Sequence, residues 1–239
     1  MKREGISLGW NCSAAQEGLY LGLRKGKSDG YNTCPFDMMI SNYIGLCECI
    51  KDDFKYFCNP NYLELRPAPK MSNHIPNQKD DEQWIYNTYY NFVFNHESPY
   101  HGNLHLNEMW TSPYHFVENN FENFIKRYST RINNFRNYLN SDNFIDFILA
   151  RYNSIPYELE NTIKEKYPNL MFKIHTVSRF TNNNIGHLHN CTIDGGVKYE
   201  IDYLEYMGIN KINNPLEIQR YYDEFNNLTG DINNNIKII

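Results

Sequence analysis

Apolar positions recur along this chain at two spacings, and the spacings divide it into elements. Ile6 to Leu8 is a short apolar run that reads as a strand, followed by a turn at Gly9. From Ser13 to about Leu23 the pattern is helical, with Ala15, Leu19 and Leu23 on one face. Gly18 and Gly22 each weaken that helix by roughly 1 kcal/mol relative to Ala. A second helix is predicted from Met38 to about Lys51, with Ile40, Tyr43, Ile44, Cys47 and Ile50 inward and Asp37 as its N-cap. Short pieces around Asn59-Pro60 follow, then a polar loop from Arg66 to Asp81. Trp84 to Phe94 is dense in aromatics, and the alternation of Tyr90, Phe92 and Phe94 predicts a strand ending at His96. Ser98 to Pro113 reads as irregular.

The clearest helix runs from Val117 to Leu139. Phe121, Phe124, Ile125, Tyr128, Ile132, Phe135 and Leu139 form one apolar stripe. The opposite face carries Lys126, Arg127, Arg131 and Arg136 and reads as solvated. Phe144 to Leu149 is a buried strand, Pro156 opens a helix over Tyr157 to Tyr167, and Leu170 to Val177 is a second strand. That strand–helix–strand unit has the size of a parallel crossover. Phe180 to Lys198 reads as loop, Pro215 opens a last helix to about Asn226, and the tail from about residue 230 is polar. The expected fold is α/β. It is a single compact domain over residues 1–239, with a strand–Cys–helix N-terminus and a C-terminal βαβ unit. An α+β, papain-like arrangement is the alternative.

Composition narrows the function classes. With 23 Lys and Arg against 28 Asp and Glu, the net charge is -5, and no basic run or tail offers a nucleic-acid surface. No apolar run approaches the roughly 20 residues that a membrane helix needs. The N-terminus enters the first strand without an apolar signal region, and the six cysteines include no Cys-x-x-Cys pair. The expectation is an intracellular, cytoplasmic protein with reduced thiols, no nucleic-acid or membrane partner, no cofactor and no metal.

Candidate chemistry starts at Ile6-Ser7-Leu8-Gly9-Trp10-Asn11-Cys12-Ser13-Ala14-Ala15. A thiol at a helix N-terminus meets unpaired N–H groups and a partial positive charge, which favour its ionisation. Cys12 is also at helical spacing with Ala15, Leu19 and Leu23, so a plain core role stays open. A thiol nucleophile needs a base. Of the eight histidines, His96 is the first candidate, because it ends an aromatic strand and is followed by the carboxylate Glu97. His175 lies inside a predicted strand and reads as structural. His96-Glu97-Ser98-Pro99-Tyr100-His101 misses the metalloprotease spacing by one residue and contains a proline. His187, His189, Cys191 and Asp194 match no common zinc motif.

These residues carry a family resemblance. The run Ile6 to Ala15, Gly22-Leu23-Arg24, Pro35-Phe36-Asp37 with Ser41, Phe94-Asn95-His96-Glu97, and Asn123 through Phe135 together resemble a family of papain-like cysteine peptidases frequent in large DNA viruses and some bacteria. The resemblance covers most of residues 6 to 178. It implies Cys12 as nucleophile, His96 as base, Asp37 or Glu97 as the group that orients the imidazole, and Asn11 with the Cys12 N–H at the oxyanion. Met38 stands where the family often has Trp. The implied substrate is a peptide, protein or other amide, and the implied activity is a thiol-dependent hydrolase. Two other readings remain beside it: an α/β transferase of glycan metabolism with a structural Cys12, and a non-enzymatic interaction protein.

Overall fold

A computed structural model describes residues 1–9, 12–68, 82–150 and 157–177. Its first layer is a three-stranded parallel sheet, ordered β1 (Arg3–Gly9), β5 (Phe144–Ala150), β6 (Phe172–Val177). The strands form where β-branched and aromatic residues are concentrated, and register follows from which face each residue must bury. Ile6 lies beside Phe147, which lies beside Ile174, so these three share one face. Ser7, Ile148 and His175 line up on the other. Both faces are covered. α1 (Cys12–Tyr20) packs on the Ile148 face, where a Cβ on Gly18 would collide with the Ile148 side chain. On the opposite face Phe135 of α4 (Glu118–Leu139) meets Phe147, with ring centroids 6.5 Å apart.

α5 (Tyr157–Lys166) links β5 to β6, so the predicted βαβ unit is present with parallel strands. It buries Leu159 and Ile163 and packs against α2 (Tyr43–Lys51). The second sheet is antiparallel: β2 (Leu63–Pro67), β3 (Gln83–Asn87) and β4 (Phe92–Phe94). The strand expected through Tyr90, Phe92 and Phe94 is present as β4, and the aromatic run before it adds β3 as its hairpin partner, with Asn91 in the left-handed region at φ 56°. Asn87 makes the turn: its side chain accepts from the N–H groups of Tyr89 and Tyr90 and donates to the carbonyls of Tyr56 and Phe57. Period-two alternation cannot reveal such a reversal when both strands are apolar on both faces. A short helical turn, α3 (Leu104–Asn107), lies between β4 and α4.

Three further expectations change. α1 ends at Tyr20 rather than near Leu23, with Gly22 at φ 69° closing it. α2 starts at Tyr43, capped by Asn42, whose side chain accepts from the Gly45 N–H at 2.7 Å. Asp37 instead closes a 3-10 turn over Pro35–Asp37. The basic face of α4 is not simply solvated, since Arg131 is largely buried and both it and Arg127 reach inward to Glu97. The loop over 180–198, the helix from Pro215, the polar tail and the His187–Asp194 group lie outside the described residues. Among the described residues, no helix is long and apolar enough to cross a membrane.

Candidate active site

β1 delivers the chain to the carboxyl end of the parallel sheet. There Gly9 adopts φ 88°, and an added Cβ would sit 2.5 Å from the Ser41 hydroxyl. Both facts favour glycine at this position. The Ser7 hydroxyl accepts from the Gly9 N–H at 3.1 Å and steadies the exit. Cys12 is the first residue of α1 and is partly exposed. Asn11 lies outside the described residues. Ligand sites of open α/β sheets form at this edge, beyond the carboxyl ends of the strands.

The segment from Phe36 to Ser41 ties this edge to the second sheet. Phe36 and Ser41 sit against Gly9, while Ile40 forms an antiparallel bridge with Val93 of β4. Three residues beyond Val93 is His96, on a 3-10 turn over Asn95–Glu97. Asp37 is buried within the segment. Its carboxylate accepts from the Cys34 N–H at 2.8 Å, the Tyr31 hydroxyl at 3.3 Å and Arg24 at 3.2 Å. Arg24 in turn donates to the Ala15 carbonyl of α1 at 3.0 Å and lies over the Tyr31 ring. Asp37 thus fastens α1 to the 3-10 turn. Burial raises its pKa above the usual Asp value, and Arg24 offsets only part of that rise.

Glu97 is equally enclosed. One carboxylate oxygen accepts from Arg127 at 3.1 Å and Arg131 at 3.0 Å, and the other accepts from the Tyr128 hydroxyl at 2.9 Å. Arg131 bonds to Glu97 and is also influenced by the charge of Asp37, whose own ion-pair partner is Arg24. His96 precedes Glu97 on the same 3-10 turn. Burial pushes its pKa down to about 4, Glu97 and Glu108 pull it up, and His101 and Arg131 push it further down. The ring is therefore neutral at neutral pH, and it makes no hydrogen bond among the described residues. Asp37 and Glu97 spend their oxygens on arginine and tyrosine, so packing holds the imidazole.

A second histidine carries the carboxylate partner that sequence reasoning sought at His96. His101 Nδ1 lies 2.8 Å from Glu82 Oε1, and Asn95 Nδ2 lies 3.2 Å from His101 Nε2. Glu82 also accepts from the Trp84 indole N–H at 2.6 Å. Glu82 did not stand out in the sequence, and Arg24 did so only within the run Gly22-Leu23-Arg24 without a partner, because each pairs with a residue brought near by the fold and no periodicity marks the pairing. His175 fills the structural role expected for it, with Nε2 at 2.7 Å from Asp146, which Arg3 also contacts. Among the described residues, no group of three or more His, Cys, Asp or Glu side chains is placed to hold a metal ion.

No curated protein and no solved structure matches this chain. A family model does match it, over residues 3–190, a span that includes Cys12, Asp37, His96 and the βαβ unit. The chain belongs to the family described as "Putative papain-like cysteine peptidase (DUF1796)".

Proposed function

We propose that this chain is a thiol-dependent hydrolase of peptide, isopeptide or other amide bonds, with Cys12 as nucleophile and His96 as proton acceptor. The observation that carries the reading is the position of Cys12. It is the first residue of α1, partly exposed, at the carboxyl edge of a parallel sheet. The free N–H groups of a helix start stabilise negative charge on a thiolate and on a carbonyl oxygen nearby. Family membership supports the same chemistry.

Cys12 Sγ attacks the amide carbon and its proton passes to His96. The Cys12 N–H, with the Asn11 side chain, carries the oxyanion. The tetrahedral intermediate collapses, the C–N bond breaks, and His96 returns the proton to the leaving amine. Water then attacks the thioester, with His96 taking its proton, and the acid product and the thiol are released. A neutral His96 is ready to accept a proton at the start of this cycle. Asp37 contributes by holding Arg24 against α1, and Glu97 by holding Arg127 and Arg131, the latter of which acts on the His96 ring.

The test is alkylation by iodoacetamide, read by peptide mass spectrometry across pH. Burial raises the thiol pKa values of Cys34 and Cys49, and pushes that of Cys58 up to about 12. Cys12 is expected to label ahead of all three, with a midpoint well below the free-thiol value of about 8.5. Labelling no faster than Cys58 would remove Cys12 as an activated nucleophile. In the same protein Cys12→Ala is expected to abolish hydrolysis of amide substrates while leaving the circular dichroism spectrum unchanged.

A further inference from the structure

Among the described residues His96 has no hydrogen-bonding partner to fix its ring, yet it sits against a second imidazole that is fixed firmly. Both nitrogens of His101 are engaged: Nδ1 by Glu82 at 2.8 Å and Nε2 by the Asn95 amide at 3.2 Å. The indole N–H of Trp84, two residues on in β3, holds Glu82 in place at 2.6 Å. The His101 ring meets Trp84 edge-on, with centroids 5.7 Å apart and planes at 85°, and it meets His96 the same way, at 5.7 Å and 78°. The backbone between the two histidines is clamped as well. The Ser98 hydroxyl donates to the Phe94 carbonyl at 2.7 Å and accepts from the Ile85 N–H at 2.8 Å. Tyr100 and Asn103, on either side of His101, adopt φ 61° and 53°, a conformation that costs a non-glycine residue about 1 kcal/mol or more. The fold accepts that strain in the segment that seats His101 on Glu82.

We infer that His101, held by Glu82, is a positioning residue for His96: it sets the plane of the proposed proton acceptor and the field in which that ring sits. The inference rests on the reading of His96 as the proton acceptor. Glu82 is buried, and its Oε1 accepts from the Trp84 indole N–H and lies 2.8 Å from His101 Nδ1. The imidazole edge that His101 sets against His96 opposes protonation there. The other charged groups that act on His96 are Glu97, Arg131 and Glu108, with Arg127 bridging Glu97 and Glu108. Burial acts most strongly on the ring, Glu97 opposes it, and His101 is the next group and acts in the same direction as burial.

The experiment is an NMR titration of the His96 ring in the full chain. In wild type the midpoint is expected near 4, as burial dictates. In His101→Gln it is expected to climb by about one pH unit or more, because the amide neither repels a proton nor excludes water as a ring does. An unmoved midpoint in a folded variant would overturn the inference. Should that variant fail to fold, wild type decides through two signals: a ring-to-ring nuclear Overhauser effect between His96 and His101, and an Nδ1–H tautomer at His101. Absence of the first overturns the inference equally. Cys12 alkylation in His96→Gln separates the two ideas. If labelling there is unchanged while the titration responds to His101→Gln, the hydrolase pairing falls and the positioning result stands. If the titration is unmoved, the positioning inference falls and the pairing stands.

Discussion

His96 is partly buried beside arginine and a second histidine, and this has a consequence for stability as well as for chemistry. Its pKa in the folded chain is about 4, against 6.5 for an ordinary histidine. A lowered histidine pKa means that the unfolded chain binds the proton more tightly. The contribution is therefore complete above pH 6.5 and is lost as pH falls toward 4. At 1.36 kcal/mol per pH unit it amounts to about 3 kcal/mol. Urea denaturation across this range is expected to show wild type losing about 3 kcal/mol more than His96→Gln does. Parallel stability curves for the two proteins would show that the ring is accessible and titrates normally. Asp37 works in the opposite sense. Its pKa is raised, so its contribution favours the folded chain at low pH and is lost as pH rises above the usual Asp range.

At the scale of elements, α2 is held by a single side chain. Asn42 caps its N-terminus through Oδ1, and its Nδ2 donates to the carbonyls of Tyr90 and Asn91 at 2.8 and 2.9 Å. One residue therefore ties the helix start to the β3–β4 turn. Asn42→Ala removes a cap and strands two hydrogen bonds, and is expected to cost about 2 kcal/mol in chemical denaturation. A loss below about 0.5 kcal/mol would mean that water replaces all three bonds. α4 is legible in the sequence by its apolar stripe, but the roles of its arginines are not. Arg127 and Arg131 bond to Glu97, and Arg136 bonds to Asp53, partners some 30 to 80 residues away that no helical period encodes.

For the molecule as a whole, the two sheets share one apolar core. Phe36 meets Phe54, Phe57, Phe92 and Phe135, and Phe135 meets Phe147 of the parallel sheet. The ring contacts pass without a break from β4 through the 3-10 turn and α4 to β5. Phe135→Ala opens a cavity at the junction and is expected to cost about 4 kcal/mol. Hydrogen exchange should then speed up in β4 and β5 together. Faster exchange in β5 alone would mean that the two sheets open independently. The same junction carries the candidate site, because Phe36 to Ser41 lies against Gly9 on one side and pairs with β4 on the other.

The sequence by itself determined the elements whose apolar period is unbroken: β1, α4, and the β5–α5–β6 unit with its proline-opened helix. It also marked Cys12 at a helix start, since strand, glycine and helix follow one another within ten residues. These are local properties, set by the spacing of side chains along the backbone. Tertiary structure decided the rest. The expected strand through Phe92 and Phe94 gains a hairpin partner in β3, which alternation did not show because it is buried on both faces. Asp37 caps no long helix, because Arg24 and Tyr31 draw it into the core. Glu97 serves arginines rather than His96, and the histidine that does hold a carboxylate, His101, finds it 19 residues away in Glu82. A buried charge is neutralised by whichever opposite charge or donor the fold places within hydrogen-bonding distance, and that choice depends on packing across the core rather than on distance along the chain.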